Sequence, residues 1–425
     1  MDQRVPDGTT QAAGGKPHTR RWAAQRWLVD NIIEANGIDW DQPRSVYLNA
    51  PCGTEASADF AAIRQQVKKF ADCSPAFEAM ARKREAKAVA AEEAGQPVTA
   101  RNNYFIAAIH WGAAQWPLEE NNARNLADNE RKRACYAAYA RLADHHVEPV
   151  WIPLGEKRLP GWLHLPPGHQ GGRLPLVVSL PGMDSFKEGI VQLYGDPMLQ
   201  RGMAVLALDG PGQYESPVLD IYFTMENWRA TGPALFDWIA GRPEIDSGRV
   251  GIAGRSFASF FGTILAASDS RFRSCAVSAT CHEPGFHTIF EEASPTFKMR
   301  FMYMSNFVDE DAFDAFIRDV TWEDDVGRIA CPYLCLAGEC DELSPLEHTE
   351  RLVGALKGPK QLVVYEGSRH SIRGPAANNG PHPQTLIADW TEARLRGDPL
   401  ASERWFVEAG GRVQKTPLRG LAPVP

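Results

Sequence analysis

The chain contains no uninterrupted apolar run approaching the roughly 20 residues of a membrane-spanning helix, so no membrane association is expected. Basic charge is also short. The 45 Lys and Arg residues are outnumbered by 53 Asp and Glu, a formal net charge of −8 over 425 residues. A general nucleic-acid binder needs a basic face to meet phosphates, and this balance argues against one. Metal-binding cysteine pairs are missing. The 8 cysteines are scattered; Cys331, Cys335 and Cys340 cluster on and just after an apolar run, without a C-x-x-C pair or a histidine at zinc-finger spacing. Buried free thiols are the expectation, and neither a metal nor another cofactor is expected. Residues 1–20 are polar and lack the apolar core of a signal peptide. They are read as a disordered tail on a cytoplasmic protein.

Strand signals are scarce between residues 21 and 146. Trp22, Trp27, Leu28, Ile32 and Ile33 recur at helical spacing, and Ala58–Phe70 and Phe77–Glu93 continue the pattern. A third apolar-faced helix begins near Asn102 and a fourth spans about Ala123 to Leu142, with His145-His146 expected at its end, where a cation suits the helix dipole. This aromatic-rich segment is read as a helical N-terminal cap domain, although its aromatics equally suit a core of its own.

From residue 147 the texture changes. Leu174–Leu180 is a continuous apolar run of the kind found in a strand buried on both faces of a parallel sheet. Met203–Leu208, Val250–Ala253, Cys275–Ala279, Pro332–Ala337 and Gln361–Tyr365 repeat it. Helix-like stretches alternate with them at Glu188–Gln200, Asp220–Ala240, Ser256–Ala267, Pro345–Leu356 and Pro383–Arg396. Regular alternation predicts a doubly wound, mostly parallel α/β sheet over 147–410. A helical insertion at 283–325, rich in Phe and Met, reads as a lid or as core, and 411–425 reads as an irregular tail.

Chemistry concentrates at the ends of these strands. Val250-Gly251-Ile252-Ala253-Gly254-Arg255-Ser256-Phe257-Ala258 is a strand running into a helix, the context of a nucleophile elbow, with Ala258 where a second glycine is usual. A serine hydroxyl needs an adjacent base that is itself held by an acid. Asp341 follows the strand ending at Ala337, and His370 follows the strand ending at Tyr365. The order Ser256, Asp341, His370 is the expected one, with Glu339 and Glu342 as alternative acids. Backbone N–H groups of Phe257, after the nucleophile, and of Met183, after the strand Leu174–Leu180, are the expected oxyanion donors; Gly182 permits the turn that presents Met183. Arg255 and Gly182 also stand where they could touch a substrate. Asp209-Gly210-Pro211-Gly212-Gln213 reads as a tight turn at the same sheet edge, without the Gly-Lys-Ser/Thr ending of a phosphate loop.

Pro181-Gly182-Met183-Asp184-Ser185-Phe186-Lys187-Glu188, Leu208-Asp209-Gly210-Pro211-Gly212-Gln213 and Gly254-Arg255-Ser256-Phe257, in this order, resemble the α/β-hydrolases typified by 2,6-dihydropseudooxynicotine hydrolase. Fungal polyketide-shortening hydrolases of the yellowish-green type and the fermentation–respiration switch proteins are similar. The likeness extends over about Arg101 to Trp390. It implies an α/β-hydrolase fold with a helical N-terminal cap, a homodimer, and a serine triad on Ser256, Asp341 and His370. It further implies cleavage of a carbon–carbon bond next to a carbonyl in a bulky aromatic or polyketide-like small molecule, with ester cleavage as the alternative. The resemblance also implies an assisting glutamate, for which Glu283 and Glu291 are the candidates. A catalytically silent regulatory protein of this fold is the alternative from another class. A dehalogenase needs a carboxylate at the elbow, which Ser256 excludes.

Overall fold

The computed structural model describes residues 9–10 and 18–418. The continuous apolar runs become the central strands of a ten-stranded sheet because both of their faces are covered. The strands are β1 (Val147–Leu154), β2 (Lys157–His164), β3 (Leu174–Leu180), β4 (Ala204–Leu208), β5 (Ile245–Arg255), β6 (Ser274–Ser278), β7 (Tyr333–Gly338), β8 (Lys360–Tyr365), β9 (Glu403–Val407) and β10 (Val413–Pro417). Their spatial order is β10-β9-β8-β7-β6-β5-β3-β4-β2-β1. Strands β3 to β9 pair in parallel, while β1–β2, β2–β4 and β9–β10 are antiparallel.

Alternate residues of β5 show why the sheet is wound on both sides. A side chain at Gly251 would meet Thr391 and Leu395, whereas neighbouring Ile252 faces Gly262. Successive strand residues point to opposite faces, so the helix carrying Gly262 and the one carrying Thr391 lie on opposite faces of the sheet.

Among the described residues six α-helices precede the sheet: α1 (Arg21–Asn36), α2 (Arg44–Asn49), α3 (Ser57–Gln66), α4 (Cys73–Glu93), α5 (Pro97–Gln115) and α6 (Ala123–Leu142). Their aromatics make a shared core into which Trp162 of β2, Ala207 of β4, Phe186 and Tyr214 also pack. Among the described residues six longer helices, beside two short ones at Glu215–Val218 and Pro375–Asn379, interleave with the strands: α7 (Met225–Ala240), α8 (Ala258–Ser268), α9 (Pro295–Met304), α10 (Glu310–Ile317), α11 (Leu346–Ala355) and α12 (Pro383–Arg396). No helix among the described residues is long and apolar enough to cross a membrane.

Several sequence expectations need correction. Glu188–Gln200 is not a helix: only three-residue turns form at Lys187–Gly189 and Leu199–Arg201, because Gly195 takes φ +122° and the Asp196 carboxylate accepts the N–H groups of Met198 and Leu199. Helix α7 starts at Met225, not at residue 220, where Thr224 Oγ1 accepts the Asn227 N–H at 3.0 Å. The stretch expected as an irregular tail from 411 carries β10, an exposed edge strand too polar to signal itself. His145 lies beyond α6, with Nε2 3.0 Å from His164 Nδ1 on β2. Of residues 1–20, only 9–10 and 18–20 are described; Thr9–Thr10 pairs antiparallel with His18–Thr19. The cysteines are free and seven are buried, but Cys340 is exposed.

The insertion packs as core. Phe286, Phe290 and Phe301 are buried and pack at a tilt against Phe257, with ring centroids 4.6, 6.0 and 4.7 Å away. The same aromatics thus support the elbow from beneath.

Candidate active site

Ser256 sits between β5 and α8 at φ +58°, a left-handed conformation that is costly for a residue with a side chain. The surroundings hold it there: its N–H donates to Ser278 O on β6 at 2.9 Å, and Ser259 N–H donates back to Ser256 O at 2.8 Å. The turn is so tight that a methyl at Gly254 would lie 2.3 Å from Ala258 O. Glycine is therefore required at 254. Ala258 is accommodated because its own methyl lies over a residue that has none.

His370 and Asp341 arrive from the loops after β8 and β7. Ser256 Oγ lies 2.9 Å from His370 Nε2, and His370 Nδ1 lies 3.1 and 3.0 Å from the two oxygens of Asp341. Asp341 Oδ1 also accepts the N–H groups of Leu343 and Ser344 at 2.9 and 3.1 Å, which fixes the carboxylate in a buried loop. The alternative acids do not face the imidazole. Glu342 Oε2 accepts the backbone N–H of His370 at 2.9 Å, and Glu339 Oε2 that of Gly367 at 2.8 Å. Both carboxylates shape the histidine loop.

The two expected oxyanion donors flank the serine. Phe257 begins the helical turn at φ −56°, so its N–H is among the first-turn donors that a helix leaves unpaired. The loop after β3 presses against the elbow: a methyl at Gly182 would meet Arg255 O at 3.0 Å and Ser256 Cβ at 3.1 Å. Met183 follows with its side chain buried. Gln213 braces this loop, since its amide nitrogen donates to Pro181 O while its oxygen accepts the Gly210 N–H at 2.9 Å. Sequence reasoning found the glycine-rich turn but not this use of its glutamine.

A cavity of about 300 Å³ opens over Ser256 and His370. The loops after β3 and β5 form its floor, and α2 of the helical region contributes Tyr47 to its wall. The Tyr47 hydroxyl is buried without a hydrogen-bond partner among the described residues. Burial raises its pKa well above the usual tyrosine value. No motif marked Tyr47, because its position depends on how α2 folds back over the sheet.

The two candidate assisting glutamates lie elsewhere. Glu283 accepts the Thr288 N–H at 2.8 Å, and Glu291 pairs with Lys298 at the edge of a second cavity of about 660 Å³ between α1 and the insertion. Neither borders the cavity that holds Ser256, and the local turns between 283 and 292 account for where their carboxylates go.

Behind the loop after β3 lies a buried charge cluster. Lys187 Nζ is 2.8 Å from Glu188 Oε1 and 3.2 Å from Asp209 Oδ2, and it also bonds Glu215. Lys132 of α6 lies 3.8 Å from Glu188 Oε2, and Arg133 Nε 3.1 Å from Glu215 Oε1. Despite burial, the surrounding carboxylates hold Lys187 above the usual lysine range. The cluster joins the last helix of the N-terminal region to the loops at the sheet edge.

A mostly parallel sheet in this order, with a serine on a strained strand-to-helix turn and a histidine and an aspartate on later loops, defines an α/β-hydrolase. More particularly, the chain belongs to the FrsA-like esterase family, which matches residues 76–314. The prolyl oligopeptidase family matches residues 233–398. Among curated relatives, the α/β-hydrolase xenA of Xenoacremonium sinensis is 31% identical over 245 residues, 53% of this chain and 54% of that protein. The hydrolase ORFZ of Pyricularia oryzae is 28% identical over 341 residues, 74% of this chain and 79% of that protein. The chain thus spans about half the length of xenA. In crystal structures, 2,6-dihydroxy-pseudo-oxynicotine hydrolase superposes with a TM-score of 0.71 at 23% identity, over 84% of this chain and 98% of that one. This last likeness is one of fold.

Proposed function

We propose that the protein is a serine hydrolase in which Ser256 is the nucleophile, His370 the general base and Asp341 the group that orients the imidazole. The observation that carries the reading is the continuous set of contacts from Ser256 Oγ through His370 to Asp341. Asp341 accepts a hydrogen bond from the Nδ1–H group, which keeps the proton on Nδ1 and leaves Nε2 as the acceptor facing the serine. As Ser256 Oγ bonds to a substrate carbonyl carbon, its proton passes to Nε2, and the oxygen gains negative charge beside the N–H groups of Phe257 and Met183. The leaving group departs with the proton from His370. Water then repeats the sequence on the acyl-enzyme and frees the acid and Ser256.

The substrate is read as a bulky aromatic or polyketide-like molecule cleaved next to a carbonyl. Ester cleavage is the reaction these residues are equipped for, since an alkoxide or phenoxide needs only the proton from His370. Carbon–carbon cleavage, whose carbanion would call for an additional acid, would have to draw it from another group on the cavity wall, since Glu283 and Glu291 lie away from it. Product analysis on matched aryl esters and aryl β-diketones tests this order: diketone cleavage without ester turnover would reverse it. Labelling by a fluorophosphonate, abolished in Ser256→Ala, tests the nucleophile. A folded wild-type protein that takes no label would reject the hydrolase reading in favour of a silent one. Free thiols suit a reducing compartment, in line with a cytoplasmic enzyme. The homodimer rests on family likeness alone, and a single-chain mass by sedimentation would refute it.

A further inference from the structure

Two arginines border the Ser256 cavity with no carboxylate among the described residues set against them. Arg255 is the last residue of β5, and its guanidinium donates to Ser371 O at 2.8 Å. That is its one hydrogen bond to a described residue, so most donors of its planar fork stay uncommitted. Arg373 stands at the exposed rim of the same cavity, two residues beyond Ser371, with no ion pair among the described residues. Ile372 between them is buried at φ +48°, a strained conformation for a β-branched residue, and it turns the chain from Ser371 towards Arg373.

The acids that border this cavity are engaged elsewhere. Asp184 accepts from Trp116 Nε1 at 2.8 Å and lies 3.5 Å from Arg44. Asp196 accepts the Met198 and Leu199 N–H groups at 2.8 and 3.3 Å. Glu342 holds the His370 N–H and lies 3.7 Å from Arg369. Burial and the like charge of Arg373 lower Arg255 to about 10, the signature of a cation without a counter-ion. Two neighbouring guanidinium groups in a partly water-excluded pocket are stabilised when an anion joins them, and their planar forks match a carboxylate.

We propose that Arg255 and Arg373 form a subsite for a carboxylate on the substrate, which positions the reacting carbonyl over Ser256. The positioning rests on the reading of Ser256 as nucleophile; the anion subsite does not. The substrate class thereby narrows to acidic acyl compounds, and neutral esters become the poorer substrates.

Matched substrates test it: 4-nitrophenyl hydrogen glutarate carries a carboxylate at the far end of its acyl chain, and 4-nitrophenyl pentanoate does not. The acidic ester should show the higher kcat/KM by about tenfold or more, and Arg373→Gln should cut that preference by about tenfold. Arg255→Gln should do the same; should it fail to fold, Arg373→Gln at the rim still decides. A preference near one in the wild type, or one unmoved by Arg373→Gln, would overturn the subsite. Calorimetry on Ser256→Ala with 4-phenylbutyrate and 4-phenylbutanamide separates the two levels. Tighter binding of the acid, weakened by Arg373→Gln, supports the subsite even if no ester is turned over. Equal binding of acid and amide refutes the subsite and leaves the hydrolase reading standing.

Discussion

Replacing Gly182 by Ala isolates the contact between the loop after β3 and the elbow. Gly182 does not lie in the left-handed region, so alanine can adopt its backbone and the perturbation is purely one of volume. The added methyl would lie 3.0 Å from Arg255 O and 3.1 Å from Ser256 Cβ, where ordinary contact begins at 3.4 Å. The loop must therefore retreat by a few tenths of an ångström, carrying the Met183 N–H away from the position proposed for the developing oxyanion. Loss of a whole oxyanion donor costs about 10²–10³ in kcat, and a misplacement of about 1 Å costs about 10². Retreat by a fraction of that distance should lower kcat by about five- to tenfold with KM little changed. The assay is steady-state hydrolysis of an aryl ester, run beside the rate of fluorophosphonate labelling, because that adduct places an oxygen in the same position. Both rates should fall together while Tm stays within about 2 °C of the wild type. A kcat within twofold of the wild type would refute the claim that this contact sets the donor. A labelling rate unaffected while ester turnover drops would refute the oxyanion role of Met183.

Three other perturbations probe the frame around the site. Tyr47→Phe removes a hydroxyl with no partner among the described residues, so Tm should hold within about 1 °C while kcat/KM falls several-fold; unchanged kinetics on every substrate would show that this hydroxyl does not touch the substrate. Burial, and then Glu78, raise Asp128 of α6 to about 7, so the folded state holds a proton between about pH 4 and 7 that the unfolded chain has lost, and stability falls as pH rises through that window. Asp128→Asn should accordingly raise Tm by a few degrees at pH 8, with the gain fading as pH drops towards 4; a gain independent of pH would contradict this. Lys187→Ala removes the cation shared by Glu188, Asp209 and Glu215, leaving Lys132 and Arg133 to the two glutamates and no cation to the buried Asp209, and should cost about 3–5 kcal/mol in denaturant unfolding; a loss below about 1 kcal/mol would show that water reaches the cluster.

The sheet was legible because its central strands are apolar on both faces, and β3 to β8 stand where continuous runs predict them. Strands β9 and β10 were not, since Glu403–Val407 is half exposed and Val413–Pro417 is a polar edge. Ser256, His370 and Asp341 were legible because each follows a strand end, and a parallel sheet brings such ends together. The positions of Glu283, Glu291, Gln213 and Tyr47 depend on loop paths and on how α2 folds back, which local patterns do not encode. The aromatics of the insertion illustrate the same limit: the sequence shows that they are apolar, not whether they look inward or out.

The buried ions that join α6 to the sheet edge set a rule for how the protein can be divided. Swinging the helical region away would part buried Lys132 from Glu188 and Arg133 from buried Glu215, and leave both carboxylates to Lys187 alone. The helical region is thus not an exchangeable module. A chimera that keeps these helices with a related sheet must keep their ionic counterparts too.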